Sequence, residues 1–341
     1  MKRAVLSILV NIAFFLAFAQ YELPCGTEVP EDALEFEREF AAKRMQKSVR
    51  MQDEDTIIFA LQIHVIRGSS GVENFPTYVS YIENGIIDSL NLYYAPAKVR
   101  FYLCDGIDYI NDDTYRVHYQ PNDAQLINTY NVSTKINLYY VDSLYHNGYV
   151  NGYAYRPSSR NLIIVAKKAW NESTVHEMGH YFSLYHTHDT IGGKEFVNGT
   201  NCGYTGDWCC DTPADPKLSY MTVDPNNCSY TGNAHDPNGD LYQPDATNLM
   251  SYSRKECRTH FSAEQYLRIR AYAEGIYTSP FVYNSNLENV TISSDTTITN
   301  DVITVKNVSV NNGNLQLNYC KEVTIEKNFE MQPGTMLTIE K

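Results

Sequence analysis

The chain has 341 residues, 43% of them hydrophobic, and a formal net charge of −13. That length supports one large domain or two smaller ones, and the acidic balance argues against nucleic acid or an anionic membrane as a partner. Tyrosine is in excess at 28 residues, as an exposed hydrogen-bonding exterior or many strands would make it.

Residues 1–19 read as a signal peptide: Lys2 and Arg3 precede an apolar run, and Ala17-Phe18-Ala19 offers a small-residue cleavage site. The run is short and carries Asn11, and no later stretch is long and apolar enough to span a bilayer. Export turns the eight cysteines into candidates for disulfides. From 21 to 51 the sequence is polar and helix-favouring, with a partly amphipathic pattern at 31–45 and one odd residue, Cys25, in Pro24-Cys25-Gly26-Thr27. The first strong strand is expected at 56–66, where the lone His64 reads as a sheet-face residue, and a helix at 77–94 follows from Val79, Ile82, Ile86 and Leu90. Strands are expected at 98–103 and 136–141, with a polar connection at 104–135, and then at 148–155 and 161–170. Such an order describes helices layered on one sheet.

Residues 176–186 read HEMGHYFSLYH. Histidines four apart on a helix lie about 40° apart around its axis and one turn along it, so His176 and His180 can reach one metal. Glu177 projects toward the same pocket, and His186 follows after room for the chain to turn back. Three neutral imidazoles with an open fourth position make a catalytic zinc site rather than a structural one. The helix is expected to start near 172–174, capped by Ser173 or Thr174. Residues 187–247 have no periodicity, and their four cysteines and acidic residues would hold such a long loop region down. A helix at 260–277 opens on a capping box, Ser262 with Gln265. From about 284, short Thr/Val/Ile alternations suggest a small stacked β module, with a linker near 278–288.

The stretch HEMGHYFSLYHT resembles the extended zinc signature of the metzincin metallopeptidases, and its Leu-Tyr-His-Thr ending resembles the pappalysin family in particular. Three further stretches agree in order: Gly206-Asp207 with Asp211-Thr212-Pro213, then Asn248-Leu249-Met250-Ser251-Tyr252, then Cys257 with His260-Phe261-Ser262. The resemblance spans roughly residues 50–275. It implies an α+β fold: a metzincin-like zinc peptidase domain at 51–279, with a twisted sheet and an active-site helix, after a pro-segment at 20–50. A small all-β module like those of secreted bacterial surface proteins would follow at 284–341.

The same resemblance implies that His176, His180 and His186 bind Zn2+, that Glu177 is the general base, and that Tyr252 stabilises the tetrahedral intermediate. Met250 would lie beneath the metal as a packing residue. Cys25 would place a thiolate on the zinc until the pro-segment is cleaved. Asp207, Asp211 and Thr212 would either bind Ca2+ or form a hydrogen-bonded turn, Cys202 would pair with Cys228, and Cys257 with Cys209 or Cys210. Ser183 stands where the family has glycine, at a turn into left-handed angles that costs serine about 1 kcal/mol. His188 reads as a surface residue, with a spare imidazole backing up His186 as the alternative, and residues 150–156 as the strand edge along which substrate lies.

The expected function is a secreted or cell-surface zinc endopeptidase, made as a zymogen and acting as a monomer on proteins or peptides by Glu-assisted attack of zinc-bound water. The alternative is a weak or inactive peptidase scaffold used for binding or adhesion. A zinc hydrolase of cell-wall peptides or sugars is disfavoured by the Met-turn and the third histidine. A glycan at Asn171-Glu172-Ser173 would crowd the zinc helix, which favours a bacterial, unglycosylated source.

Overall fold

The computed structural model describes residues 23–46, 56–72, 75, 79–156, 160–277 and 284–340. The expected signal peptide, the ends of the expected pro-segment and much of the expected linker lie outside the described residues.

In chain order the elements before the metal motif are α1 (Ala33–Gln46), β1 (Ile57–Arg67), α2 (Val79–Tyr94), β2 (Val99–Asn111), β3 (Val117–Tyr119), α3 (Asp123–Tyr130) and β4 (Ile136–Val141). Then come β5 (Ser143–Tyr145), β6 (Tyr149–Val150), β7 (Gly152–Ala154), β8 (Ile163–Ala166) and α4 (Trp170–Tyr181). After a long irregular stretch follow α5 (Ala263–Tyr277) and five strands, β9 (Asn284–Ile292), β10 (Thr296–Val310), β11 (Asn314–Ile325), β12 (Phe329–Met331) and β13 (Met336–Glu340).

The main sheet has the order β2-β1-β4-β8-β7. Its inner pairs are parallel, and β7 alone runs antiparallel, at the edge. β1 is buried along nearly its whole length, as a central strand covered on both faces must be. Phe59, Leu61, Ile63 and Val65 pack with Ile82, Ile86 and Leu90 of α2, Val175 and Met178 of α4, and Ile269 of α5. The opposite face packs Ile66, Tyr139, Val141 and Ile164 with Leu126 of α3. His64 is a satisfied core residue, between Asp108 Oδ2 at 2.8 Å and Asn137 Oδ1 at 3.0 Å, and stacks on Tyr139.

The α+β expectation with a C-terminal β module therefore holds, with differences that have local causes. Residues 104–135 are more regular than expected: β2 runs on to Asn111 beside β1, across a register shift at Leu61/Ile63 that breaks the strand pattern. α3 buries only Asp123 and Leu126, too little to show an apolar period. The metal-motif helix begins at Trp170, before the expected caps, and its N-cap residue Ala169 makes no side-chain cap bond. Thr174, already inside the helix, turns its hydroxyl back to the Trp170 carbonyl.

Two disulfides staple the irregular stretch, Cys202–Cys210 and Cys228–Cys257. This corrects the expected pairing of Cys202 with Cys228 and of Cys257 with Cys209 or Cys210. Cys228 and Cys257 meet in a small apolar cluster with Leu218, Val223 and Ala246, whereas Cys209 turns inward, buried and free. Cys320 is disulfide-bonded as well.

At the C-terminus the expected short strands merge into longer ones that pair in parallel, β10 with β9, β11 and β12, and β11 with β13. Their alternating Ile303, Val305, Val308, Val310, Leu315 and Leu317 form a core separate from that of the main sheet.

Candidate metal centre and cleft

α4 is held against the sheet by its apolar face, Val175, Met178 and Tyr181, which leaves the 3.6-residue spacing to set His176 and His180 side by side. After Phe182 the chain turns through Ser183, at φ 68°, and brings His186 back to the same point. The left-handed angle expected at this position is thus present, with serine carrying it. His180 Nε2 lies 3.1 Å from both His176 Nε2 and His186 Nε2.

Each ring's other nitrogen faces an acceptor: His176 Nδ1 the Leu249 carbonyl at 2.7 Å, His180 Nδ1 the Leu184 carbonyl at 2.8 Å, and His186 Nδ1 the Asp189 carboxylate at 3.3 Å. Nδ1 therefore carries the hydrogen, and the three Nε2 lone pairs converge. Burial pushes the His180 pKa down to about 4 and those of His176 and His186 well below the usual range, so all three rings are neutral, the form that binds a metal.

A fourth donor is present. Cys25 Sγ lies 3.5 Å from His180 Nε2, and the donor atoms of Cys25, His176, His180 and His186 all fall within 4.8 Å of one another. A tetrahedral zinc with bonds of about 2.0–2.1 Å to nitrogen and about 2.3 Å to sulfur needs N···N near 3.3–3.4 Å and N···S near 3.5 Å. The residues present fit that ion. Burial and the neighbouring Glu177 carboxylate push the Cys25 thiol pKa up; a bound cation would supply the charge that stabilises a thiolate there.

Cys25 arrives on a strand-like segment that occupies the β7 edge. Gly26 N donates to Gly152 O at 2.7 Å and Asn151 N to Pro24 O at 2.9 Å, so the segment runs parallel to β7. Thr27, whose role the sequence does not reveal, donates its hydroxyl to Glu177 Oε2 at 3.0 Å and accepts from Ala154 N at 2.9 Å. Cys25 Sγ also donates to Glu177 Oε2, at 3.5 Å. Burial pushes the Glu177 pKa up to about 8, and the hydrogen bonds from Cys25 and Thr27 pull it the other way.

Two glycines make this closeness possible. A Cβ on Gly152 would stand 2.9 Å from Glu177 Cγ, and one on Gly179 would stand 2.7 Å from Met250 Sδ. Met250 is accordingly buried directly under the helix turn between His176 and His180.

Tyr252 lays its ring against His186 at 4.7 Å between centroids and donates its hydroxyl to the Cys25 carbonyl at 3.0 Å. His188 is stacked on His186 and half-buried rather than a surface residue, because Tyr252 closes over it. With Asp189 and His186 it forms a second small donor group.

Of the residues named for calcium, Asp207 and Thr212 meet, and Asp211 lies with the start of α5. Thr212 Oγ1 donates to both oxygens of the buried Asp207 at 3.0 Å. Asp211 instead accepts from Ser262 Oγ and Glu264 N at the start of α5, where Ser262 and Gln265 form the expected capping box.

Fold and site together define a class: an α+β protein with a buried cluster of three histidines that could hold a metal, set beside a sheet edge that can accept an extended chain. No family model matches the sequence. The chain is similar to an extracellular metalloprotease of Neurospora crassa, 26% identical over 273 residues, covering 73% of this chain and 87% of that protein. A second extracellular metalloprotease, from Colletotrichum graminicola, is 25% identical over 301 residues, covering 78% of this chain and 95% of that protein. Among solved structures, Tannerella forsythia mature mirolysin in complex with a cleaved peptide is 16% identical with a TM-score of 0.45, covering 67% of this chain and 98% of that one. The two sequence relatives are fungal, so they do not show the bacterial source expected from the sequence.

Proposed function

We propose that the protein is a secreted zinc endopeptidase of the metzincin kind, with the pappalysin-like signature its sequence carries, made as a latent precursor. The observation that carries this reading is the convergence of three neutral imidazoles on one point, with a carboxylate and a phenol beside it and a chain already lying along the adjacent strand edge.

His176, His180 and His186 would hold the zinc, which when bound polarises a scissile carbonyl and acidifies water. Glu177 takes the proton from the attacking water and returns it to the leaving amine. The Tyr252 hydroxyl, already donating to a backbone carbonyl in the cleft, donates to the oxyanion. β7 hydrogen-bonds the extended substrate. In the precursor these groups are all engaged by the N-terminal segment: Cys25 completes the donor set, Thr27 binds Glu177, and the Cys25 carbonyl occupies Tyr252.

Casein hydrolysis by the cleaved protein tests the reading. Wild type is expected to cleave, and Glu177→Ala to lose at least about a thousandfold in kcat while keeping its metal. Zinc-loaded wild type that hydrolyses no peptide overturns it.

A further inference from the structure

The N-terminal segment is the chain's own occupant of the cleft, and its side chains report what the flanking surfaces accept. Beyond Cys25, residues Gly26 to Asp32 form one wall of a cavity of about 550 Å³ on the His180 side, whose other walls include His146, Tyr155 and Arg156. Two acidic side chains anchor it there. Glu28 meets His146 Nε2 at 3.3 Å and Asn147 Nδ2 at 3.0 Å. Asp32 Oδ1 accepts from Arg156 Nη2 at 2.7 Å, and the Arg156 guanidinium lies 4.0 Å above the Phe36 ring.

Arg156 lies just beyond the end of β7, its side chain only 9% exposed beneath the segment. Departure of the segment would take Asp32 and Phe36 from Arg156, which keeps a further interaction of its own beside the strand edge. Across the metal cluster a second cavity of about 500 Å³ is lined by Lys217 and Arg258 along with Glu177, and Lys217 Nζ stands 5.5 Å from the Tyr252 ring. A chain of net charge −13 thus places cations on both flanks of its metal site. Asp189 is the carboxylate of the mature domain that lines the first cavity, and it is engaged by His186.

We propose that the cleft selects peptides with an acidic side chain on the His180 side of the metal site, held by Arg156 in the place that Asp32 fills in the uncleaved chain. The inference rests on the peptidase reading and names its substrate class. A guanidinium presents a planar fork of donors that fits a carboxylate whichever way the bound backbone runs, so the reversed direction of the N-terminal segment does not remove the parallel. Asp32 itself is largely exposed, at 68%, and such pairs contribute modestly, so the expected preference is about three- to tenfold in kcat/KM.

The test is cleavage-site profiling of activated enzyme on a random-sequence peptide library, for wild type, Arg156→Glu and Arg156→Gln. Asp and Glu are expected to be enriched at one position in wild type, lost with Arg156→Gln and replaced by Lys and Arg with Arg156→Glu, while cleavage of peptides neutral at that position stays within about twofold. The Gln variant carries the test if the Glu variant fails to fold. Unchanged profiles in both variants, or no acidic enrichment in wild type, with casein hydrolysis intact, overturn the inference and leave the peptidase reading standing. Absence of any hydrolysis by zinc-loaded wild type overturns both.

Discussion

Ser183 shows how a single residue bears on the site. It holds φ at 68°, its hydroxyl is buried without a hydrogen-bond partner, and its carbonyl accepts from Arg268 Nε at 2.8 Å. The motif alone was enough to mark the position as strained. It could not show the support, because Arg268 lies 85 residues away and reaches Ser183 only through the packing of α5. Ser183→Gly is expected to remove both the left-handed penalty and the unpaired hydroxyl, partly offset by the freer unfolded chain. The net gain should be about 1 kcal/mol, seen as a rise of roughly 2–4 °C in melting temperature. A fall would mean that the serine is making a contact worth more than the strain. The histidines and Glu177 were legible for the same reason that Thr27 and Gly152 were not: the former act through a helical spacing, the latter through contacts made across more than a hundred residues or across the sheet edge.

Among the elements, α1 carries the most information that its sequence conceals. Its apolar stripe looks weak because one buried position is Glu37, which forms a fully buried pair with Arg268, both side chains 1% exposed. Phe36 and Phe40 pack beside it against Tyr272. α1 is therefore clamped onto α5 while Cys25 reaches the metal cluster, and the same Arg268 that binds Glu37 supports the turn leading to His186. Removing one partner of a buried pair costs about 3–5 kcal/mol. Glu37→Ala should loosen α1 and raise hydrolysis of a small fluorogenic peptide by the uncleaved precursor. Cys25→Ala should raise it as well, by at least about tenfold, since it frees the fourth position directly. A Cys25→Ala precursor no more active or self-cleaving than wild type counts against latency through this residue. Long periodic elements such as β1 and α2 were readable from pattern. The start of α4 and the disulfide partners were not, because caps can be absent and loop cysteines pair according to where the irregular stretch packs.

For the whole molecule, the shift in composition near residue 284 coincides with the start of β9. The C-terminal strands bury their own core, and no residue of it joins the clusters of the main sheet. Calorimetry of the full chain should resolve two transitions. A zinc chelator is expected to lower the transition of the metal-bearing unit by roughly 5–15 °C and leave the other in place; a single transition that shifts as one would contradict the division. On the proposed function, three histidines would hold a catalytic zinc whose fourth position the chain itself fills. Zinc K-edge X-ray absorption of the purified precursor, compared with Cys25→Ala, tests it most directly. The account predicts one zinc per chain with three nitrogen neighbours at about 2.0–2.1 Å and one sulfur at about 2.3 Å, the sulfur disappearing in the variant. A precursor that binds no zinc, or binds it through oxygen donors alone, would contradict it.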